Sequence, residues 1–332
     1  LLAKEETMKN HARPRVVVSR CLGFAPCRWN GLTISSDAVS LLKPFVDYIP
    51  VCPEMEIGLG VPREPVRIVK GDGGIRLVQS ETERDLTVEM RRFTDGFLNA
   101  QREADGFILK ERSPSCGMKN VKVYPRMGKV APVDSRHPGF FGAAVLERFP
   151  GRPVEDEGRL GNFALREHFL TALFALARLR GVRKGGRMKD LVEFQADHKY
   201  LLMAYSQPEL KMLGLIVANR DRKKAAEVME GYEARFRAAL LRPPSPGAMG
   251  NVLMHALGYF KDQVSAREKE FFLNSLQSYR DRRVPLGVPV AIIRSWIVRF
   301  GNEYLERQAL FLPYPEQLIQ VSDSGKGREI GR

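Results

Sequence analysis

Three short apolar runs, each followed by a turn, organise the first half of the chain. "RVVVS" (residues 15–19), "YIPVC" (48–52) and "GFILK" (106–110) are rich in β-branched and aromatic residues and too short for helices. They predict buried strands. Between the first two, "SSDAVSLLKPF" has Ser and Asp cap candidates and apolar spacing for a helix. Between the second and third, "SETERDLTVEMRRFTDGFLNAQREA" places Leu86, Met90, Phe93, Phe97 and Leu98 on one stripe and predicts a longer helix. Strand, helix, strand, helix, strand implies a parallel sheet with right-handed crossovers, a Rossmann-like α/β domain.

From "GRLGNFALREHFLTALFALARLR" onward the period becomes helical. "RGVRKGGRMK" (180–189) reads as a basic linker punctuated by glycines. "DLVEFQADHKYLLMAY" predicts one helix, and "SQPE" (Ser206–Glu209) and "SARE" (Ser265–Glu268) have capping-box spacing. "RDRKKAAEVMEGYEARFRAALL" predicts an amphipathic helix with a basic start, and Pro289 a first helical turn. The expectation is an α/β N-terminal domain followed by an all-α domain of five to seven helices. In residues this is a disordered start (1–12), the α/β domain (13–160), a helical and basic linker (161–187), the all-α domain (188–320) and a disordered tail (321–332). The chain opens on Leu1 rather than Met, so upstream trimming is expected.

Composition narrows the function classes. No apolar run approaches the eighteen residues of a membrane span, and no secretory leader is read, so the expectation is a soluble cytoplasmic protein with no membrane partner. The net charge of +14 is uneven: residues 1–160 carry 25 Lys and Arg against 21 Asp and Glu, and residues 161–332 carry 28 against 18. A basic excess on one half suggests a polyanion partner. Candidate phosphate contacts are Arg183, Lys184, Arg187 and Lys189 in the linker and Arg220, Arg222, Lys223 and Lys224 before the amphipathic helix. A solvated helix face is the competing reading for any one of them.

All four cysteines, Cys21, Cys27, Cys52 and Cys116, fall in the first 116 residues. Cys21, Cys52 and Cys116 each lie at or just past a predicted strand end. In a parallel sheet those ends share one edge, the edge where open α/β folds bind ligands. Three gathered thiolates fit an iron–sulfur cluster with one open iron, or zinc completed by water. Cys27 reads equally as a fourth ligand or a spare thiol. Glu54 in "CPEMEIGLGVPREP", Arg63 beyond it, and Ser113 and Ser115 in "RSPSCG" bring a carboxylate, a cation and hydroxyls to the same edge. Such groups suit water activation at an open metal position. His137 reads as a loop residue, and His168, His198 and His255 as core histidines.

"SRCLGFAPCRWNG", "PVCPEMEIGLGVPREP", "LKERSPSCG" and "EDEGRL" together resemble the thiouracil-desulfidase family over roughly residues 13–160. "DHKYLLMAYSQPELKMLG", "NVLMHALGYF" and "VPLGVPVAIIRSWIVRF" resemble the helical domain fused to that desulfidase in many bacteria, a form similar to tRNA 4-thiouridine desulfidases. The resemblance implies a [4Fe-4S] cluster held by Cys21, Cys52 and Cys116. It implies catalytic roles for Glu54 and Ser113, with Ser115 and Arg63 expected at the substrate. The implied reaction is non-redox: the open iron binds the thiocarbonyl sulfur, Glu54 activates water, and 4-thiouridine in tRNA becomes uridine with release of sulfide. tRNA is the expected partner and DNA is not. Desulfidation of free thiopyrimidines, with the helical domain as a lid or oligomerisation module, and a non-enzymatic iron–sulfur regulator are the rival readings. The chain departs from the family pattern at Glu56–Ile57, before a single glycine, and at Trp29–Asn30, where members often have Tyr-Asp.

Overall fold

The computed structural model describes residues 12–320, so all but the last residue of the expected disordered start (1–12), and the whole expected tail (321–332), lie outside the described residues. The chain divides into two compact units, Arg178–Glu316 forming the second. The first contains, in chain order, β1 (Arg15–Ser19), α1 (Asp37–Leu42), β2 (Asp47–Val51), α2 (Pro53–Glu56), β3 (Val66–Gly71), β4 (Gly74–Gln79), α3 (Thr87–Ala100), β5 (Gly106–Leu109), β6 (Val121–Tyr124), β7 (Asp134–His137), α4 (Phe140–Arg148) and β8 (Val154–Asp156).

Strands β2-β1-β5-β8 form one fully parallel sheet, as the alternation of strands and helices requires. Val16, Val17, Val18, Phe107, Ile108 and Leu109 are all fully buried, which is why these strands read as unbroken apolar runs. Ser19 lies opposite Val51, Val18 opposite Ile108, and Leu109 opposite Asp156. The C-terminal ends of the four strands therefore finish level.

Helix α3 begins at Thr87 rather than at Ser80, because residues 80–86 close a second sheet that the apolar pattern does not predict. Its order is β4-β3-β6-β7, with an antiparallel β3–β4 hairpin, parallel β3–β6 and antiparallel β6–β7. Val66, Ile68, Leu77, Val121 and Val123 pack there with Leu86 and Met90. Leu98, on the same helix, packs instead with Phe107, Phe141 and Val145 under the parallel sheet. One apolar stripe thus serves two cores.

Helix α5 (Phe163–Gly185) carries the chain into the second unit, so the expected linker is helical through Gly185 and breaks only at Gly186 and Arg187. There follow α6 (Met188–Asp197), α7 (Lys199–Tyr205), α8 (Gln207–Ala218), α9 (Ala225–Ala239), α10 (Pro246–Leu257), α11 (Ala266–Arg280), α12 (Gly287–Phe300) and α13 (Glu303–Glu306). The unit is all-α with more helices than expected, partly because the helix expected over "DLVEFQADHKYLLMAY" parts at His198. That imidazole is buried, stacks on Phe194 at 3.8 Å, and its Nδ1 lies 2.8 Å from Phe194 O. Burial pushes its pKa down to about 3, and that of His168 to about 4. His255, expected in the core, is exposed. The capping box is present at Ser265–Glu268, and Ser206 caps α8. The basic start expected for the amphipathic helix lies before α9, in the turn ending at its N-cap Lys224. Among the described residues no helix is long and apolar enough to cross a membrane.

Candidate functional site

The level strand ends bring all four thiols to one place. Cys21 follows β1 by two residues, Cys52 is the first residue after β2, and Cys116 lies in the turn beyond β5. All four cysteines are buried and free of disulfides. The Cys52 thiol lies 3.7 Å from the Cys27 carbonyl, and the thiols of Cys21 and Cys52 are near enough to Cys27 to shift its ionisation. Cys27 is therefore part of the group.

Ionisation of Cys27, Cys52 and Cys116 is opposed. The hydrogen bond with Cys27, followed by burial, pushes Cys52 up, and burial, followed by nearby Cys52, pushes Cys116 up, with Glu54 adding in the same direction. For Cys27 the bond with Cys21 is the largest cause of a raised value. A group of thiols that resist losing protons together is what a bound cation would relieve. Among the described residues, no three His, Cys, Asp or Glu side chains are arranged to hold a single metal ion. Ligands of one zinc converge on bonds of ~2.3 Å. Cysteines that bind different irons of a cluster stand wider apart. The donors are all soft sulfur, which suits iron–sulfur chemistry and not magnesium or calcium.

The turn holding Cys116 is clamped from two sides. Ser113 Oγ accepts from Ser115 N at 3.3 Å and Cys116 N at 3.1 Å, and Ser113 O accepts from Gly117 N at 2.9 Å. The Ser113 hydroxyl thus braces the turn, and its own proton is not used in those bonds. Opposite, the N-terminus of α4 turns its unsatisfied amides on the loop. Phe140 N donates to Pro114 O at 3.0 Å, and Phe141 N to Ser115 O at 2.9 Å. A Cβ at Gly139 would stand 2.6 Å from Ser113 O, and one at Gly142 would stand 2.1 Å from Gly117 O. The part "HPGFFG" plays in mounting Cys116 is not apparent from its reading as a loop around His137, and its two glycines are the signal that could have shown it. Ser19 is a further site residue outside the expected set: its buried Oγ accepts from Lys110 N at 2.9 Å, and its hydroxyl partly offsets the rise at Cys116.

Glu54 lies on the first turn of α2, two residues after Cys52. Its Oε2 receives Arg63 Nη2 at 2.6 Å and Nε at 2.8 Å, and its Oε1 receives Ser115 Oγ at 2.5 Å. Ser115 and Arg63, expected at the substrate, thus both lie on this carboxylate. Glu56 is held by Arg20 at 2.6 Å. At the same sheet edge Glu155 pairs with Arg159 and Glu157 with Lys110. Burial and then the neighbouring Glu155, Glu157 and Glu111 push Asp156 up to about 6.

Four of the eight candidate phosphate contacts are ion-paired: Arg183 with Glu233, Arg187 with Asp190, Lys189 with Glu193 and Lys223 with Glu227. Lys184, Arg220, Arg222 and Lys224 are exposed and form no ion pair among the described residues.

Residues 16–157 match the family described as 2-thiouracil desulfurase, and residues 199–315 match a protein of unknown function, DUF1722. The chain is 34% identical over 109 residues to YbbK of Bacillus subtilis (strain 168), an uncharacterized protein, covering 31% of this chain and 72% of YbbK. It is 28% identical over 158 residues to YbgA of Escherichia coli (strain K12), also uncharacterized, covering 47% of this chain and 93% of YbgA. A solved structure of a [4Fe-4S]-dependent thiouracil desulfidase, TudS, is similar at 29% identity and a TM-score of 0.37, covering 45% of this chain and 93% of that one. Through its N-terminal α/β unit, this chain belongs to the 2-thiouracil desulfurase family.

Proposed function

We propose that the protein is an iron–sulfur-dependent desulfidase that replaces the thiocarbonyl sulfur of a thiopyrimidine with oxygen from water, its substrate being 4-thiouridine in tRNA. The observation that supports it most is the carboxylate of Glu54, held by Arg63 and Ser115 beside four buried thiols. Membership of the 2-thiouracil desulfurase family supports the same class of reaction.

Cys21, Cys52 and Cys116 would hold a [4Fe-4S] cluster, with Cys27 in contact with the first two. When bound, the cluster supplies a soft Lewis-acidic iron for a sulfur ligand. The rest falls to this chain's own groups. Glu54 takes a proton from the attacking water, and its orientation is fixed before substrate arrives. The unused Ser113 proton can be donated to the pyrimidine ring as charge develops there. Water contributes the oxygen, sulfide leaves with two protons, and no electron changes hands.

tRNA is favoured over a free base by Lys184, Arg220, Arg222 and Lys224, exposed cations with no carboxylate partner among the described residues. The free-thiopyrimidine reading is favoured by the other four candidates, whose charges already face carboxylates. Turnover of thiolated tRNA and of free thiouracil by the cluster-loaded protein, followed as salt rises, separates the two. A tRNA grip makes the first fall steeply and leaves the second nearly flat, because each neutralised phosphate releases counterions. Equal salt response on both substrates removes the RNA reading.

A further inference from the structure

Arg63 is almost wholly buried, with its side chain 4% exposed, and every part of its guanidinium is engaged. Nε and Nη2 hold Glu54 Oε2 at 2.8 and 2.6 Å. Nη2 also reaches Cys27 O at 3.0 Å, while Nη1 reaches Gly60 O at 2.9 Å and Met55 Sδ at 3.7 Å. One side chain thus ties together the Cys27 loop, helix α2 with Glu54, and the glycine turn after it. Its backbone joins in, since Arg63 N donates to Trp29 O at 2.8 Å. Ser115 is fully buried and spends its hydroxyl proton on the other oxygen of Glu54.

We infer that Arg63 and Ser115 are positioning residues for Glu54, forming a clamp that sets the carboxylate against the thiol group and does not itself bind substrate. A cation spent on a carboxylate, a carbonyl of the Cys27 loop, a turn carbonyl and a thioether has no face left for a ligand. Long side chains alone would let Glu54 sample several rotamers. Two donors on Oε2 and one on Oε1 restrict it to one orientation before any substrate is present. The same contacts give Cys27 a role through its carbonyl, independent of its thiol.

The inference rests on the desulfidase reading only for its kinetic arm. In that arm the full chain, with iron and sulfide counted, is assayed on free 4-thiouridine. Arg63→Gln should lower kcat ~10²-fold with KM within about twofold, because a carboxylate displaced by ~1 Å loses reactivity and not affinity. Arg63→Lys keeps the charge without the planar fork, so it should recover part of kcat. Ser115→Ala should lower kcat ~10-fold. A rise in KM with kcat intact would show substrate binding and overturn the inference. The second arm needs no turnover: a double-mutant cycle of Arg63→Gln and Glu54→Gln on the stability of the as-purified protein. The clamp requires the double variant to be clearly less destabilised than the sum of the singles. Additive losses overturn the clamp even if the kinetic variants fold poorly. A parent that turns over no thiopyrimidine while the cycle is non-additive would sink the desulfidase reading and leave the clamp standing.

Discussion

Gly142→Ala strikes the mounting of Cys116 without touching a thiol or a charge. Gly142 is in the first turn of α4, facing the turn that carries Cys116. The added Cβ would meet Gly117 O at 2.1 Å, Cys116 O at 2.7 Å and Gly117 C at 2.7 Å, all backbone atoms that no rotamer change can move. Relief requires the turn and the helix to part by roughly 1 Å, an overpacking strain of about 1–3 kcal/mol. That movement weakens the amide bonds from Phe141 and Gly142 to Ser115 O, now 2.9 and 3.2 Å, at ~1 kcal/mol each. The better helix propensity of Ala returns ~1 kcal/mol, leaving a net destabilisation of about 2–4 kcal/mol. Gly96→Ala is the control: it lies within α3 with nothing within 4 Å of its new Cβ, and it should stabilise by ~0.5–1 kcal/mol. Urea unfolding, read through hydrogen exchange of peptides from the first unit, gives the stability, and iron and sulfide counts after anaerobic loading give the cluster content. Gly142→Ala should lose both stability and iron. Parent-like stability with full iron in that variant would refute the clamp between α4 and the cysteine turn.

Cys21→Ala, Cys52→Ala and Cys116→Ala should each abolish iron binding, while Cys27→Ala should retain a cluster with measurable activity; loss of iron from the last would make it a fourth ligand. Glu54→Gln should keep the cluster and lose activity by a factor of ~10² or more, with Ser113→Ala impaired less, both measured on iron-counted protein. Burial pushes the His198 pKa down from the ordinary 6.5 to about 3. Its contribution to stability is therefore complete above 6.5 and is lost as pH falls from 6.5 towards 3, because the unfolded chain takes up the proton first. His168, lowered to about 4, acts in the same direction, so His198→Phe should flatten part of the acid slope of stability in urea titrations and leave the rest.

What can be read in advance follows from how local each signal is. "RVVVS" is β1 to the residue because a strand buried on both faces must be apolar throughout, and Ser265–Glu268 forms its capping box because both partners sit within one helical turn. The gathering of Cys21, Cys52 and Cys116 follows from parallel topology, which levels strand ends separated by dozens of residues. The second sheet escapes the pattern because its strands alternate apolar with polar residues or are mostly polar, and none is an unbroken apolar run. In β7, "DSRH", three of four residues are exposed, and only pairing with β6 makes it a strand. "VRIVKGDGGIRLVQ" does carry a hairpin signal in its glycine-rich turn between alternating runs. The side chains around Glu54 are legible as a set but not as a circuit. Arg63 and Ser115 lie 9 and 61 residues from it, and nothing local says that both end on its carboxylate.

The most direct test of the central claim is chemical. The protein is loaded with iron and sulfide under anaerobic conditions, incubated with bulk tRNA containing 4-thiouridine, and the tRNA is digested to nucleosides. The predicted result is that 4-thiouridine disappears, uridine rises by the same amount, and one sulfide is released per base without added reductant. Unchanged 4-thiouridine in the presence of fully loaded protein, or loss that depends on a reductant, would contradict it.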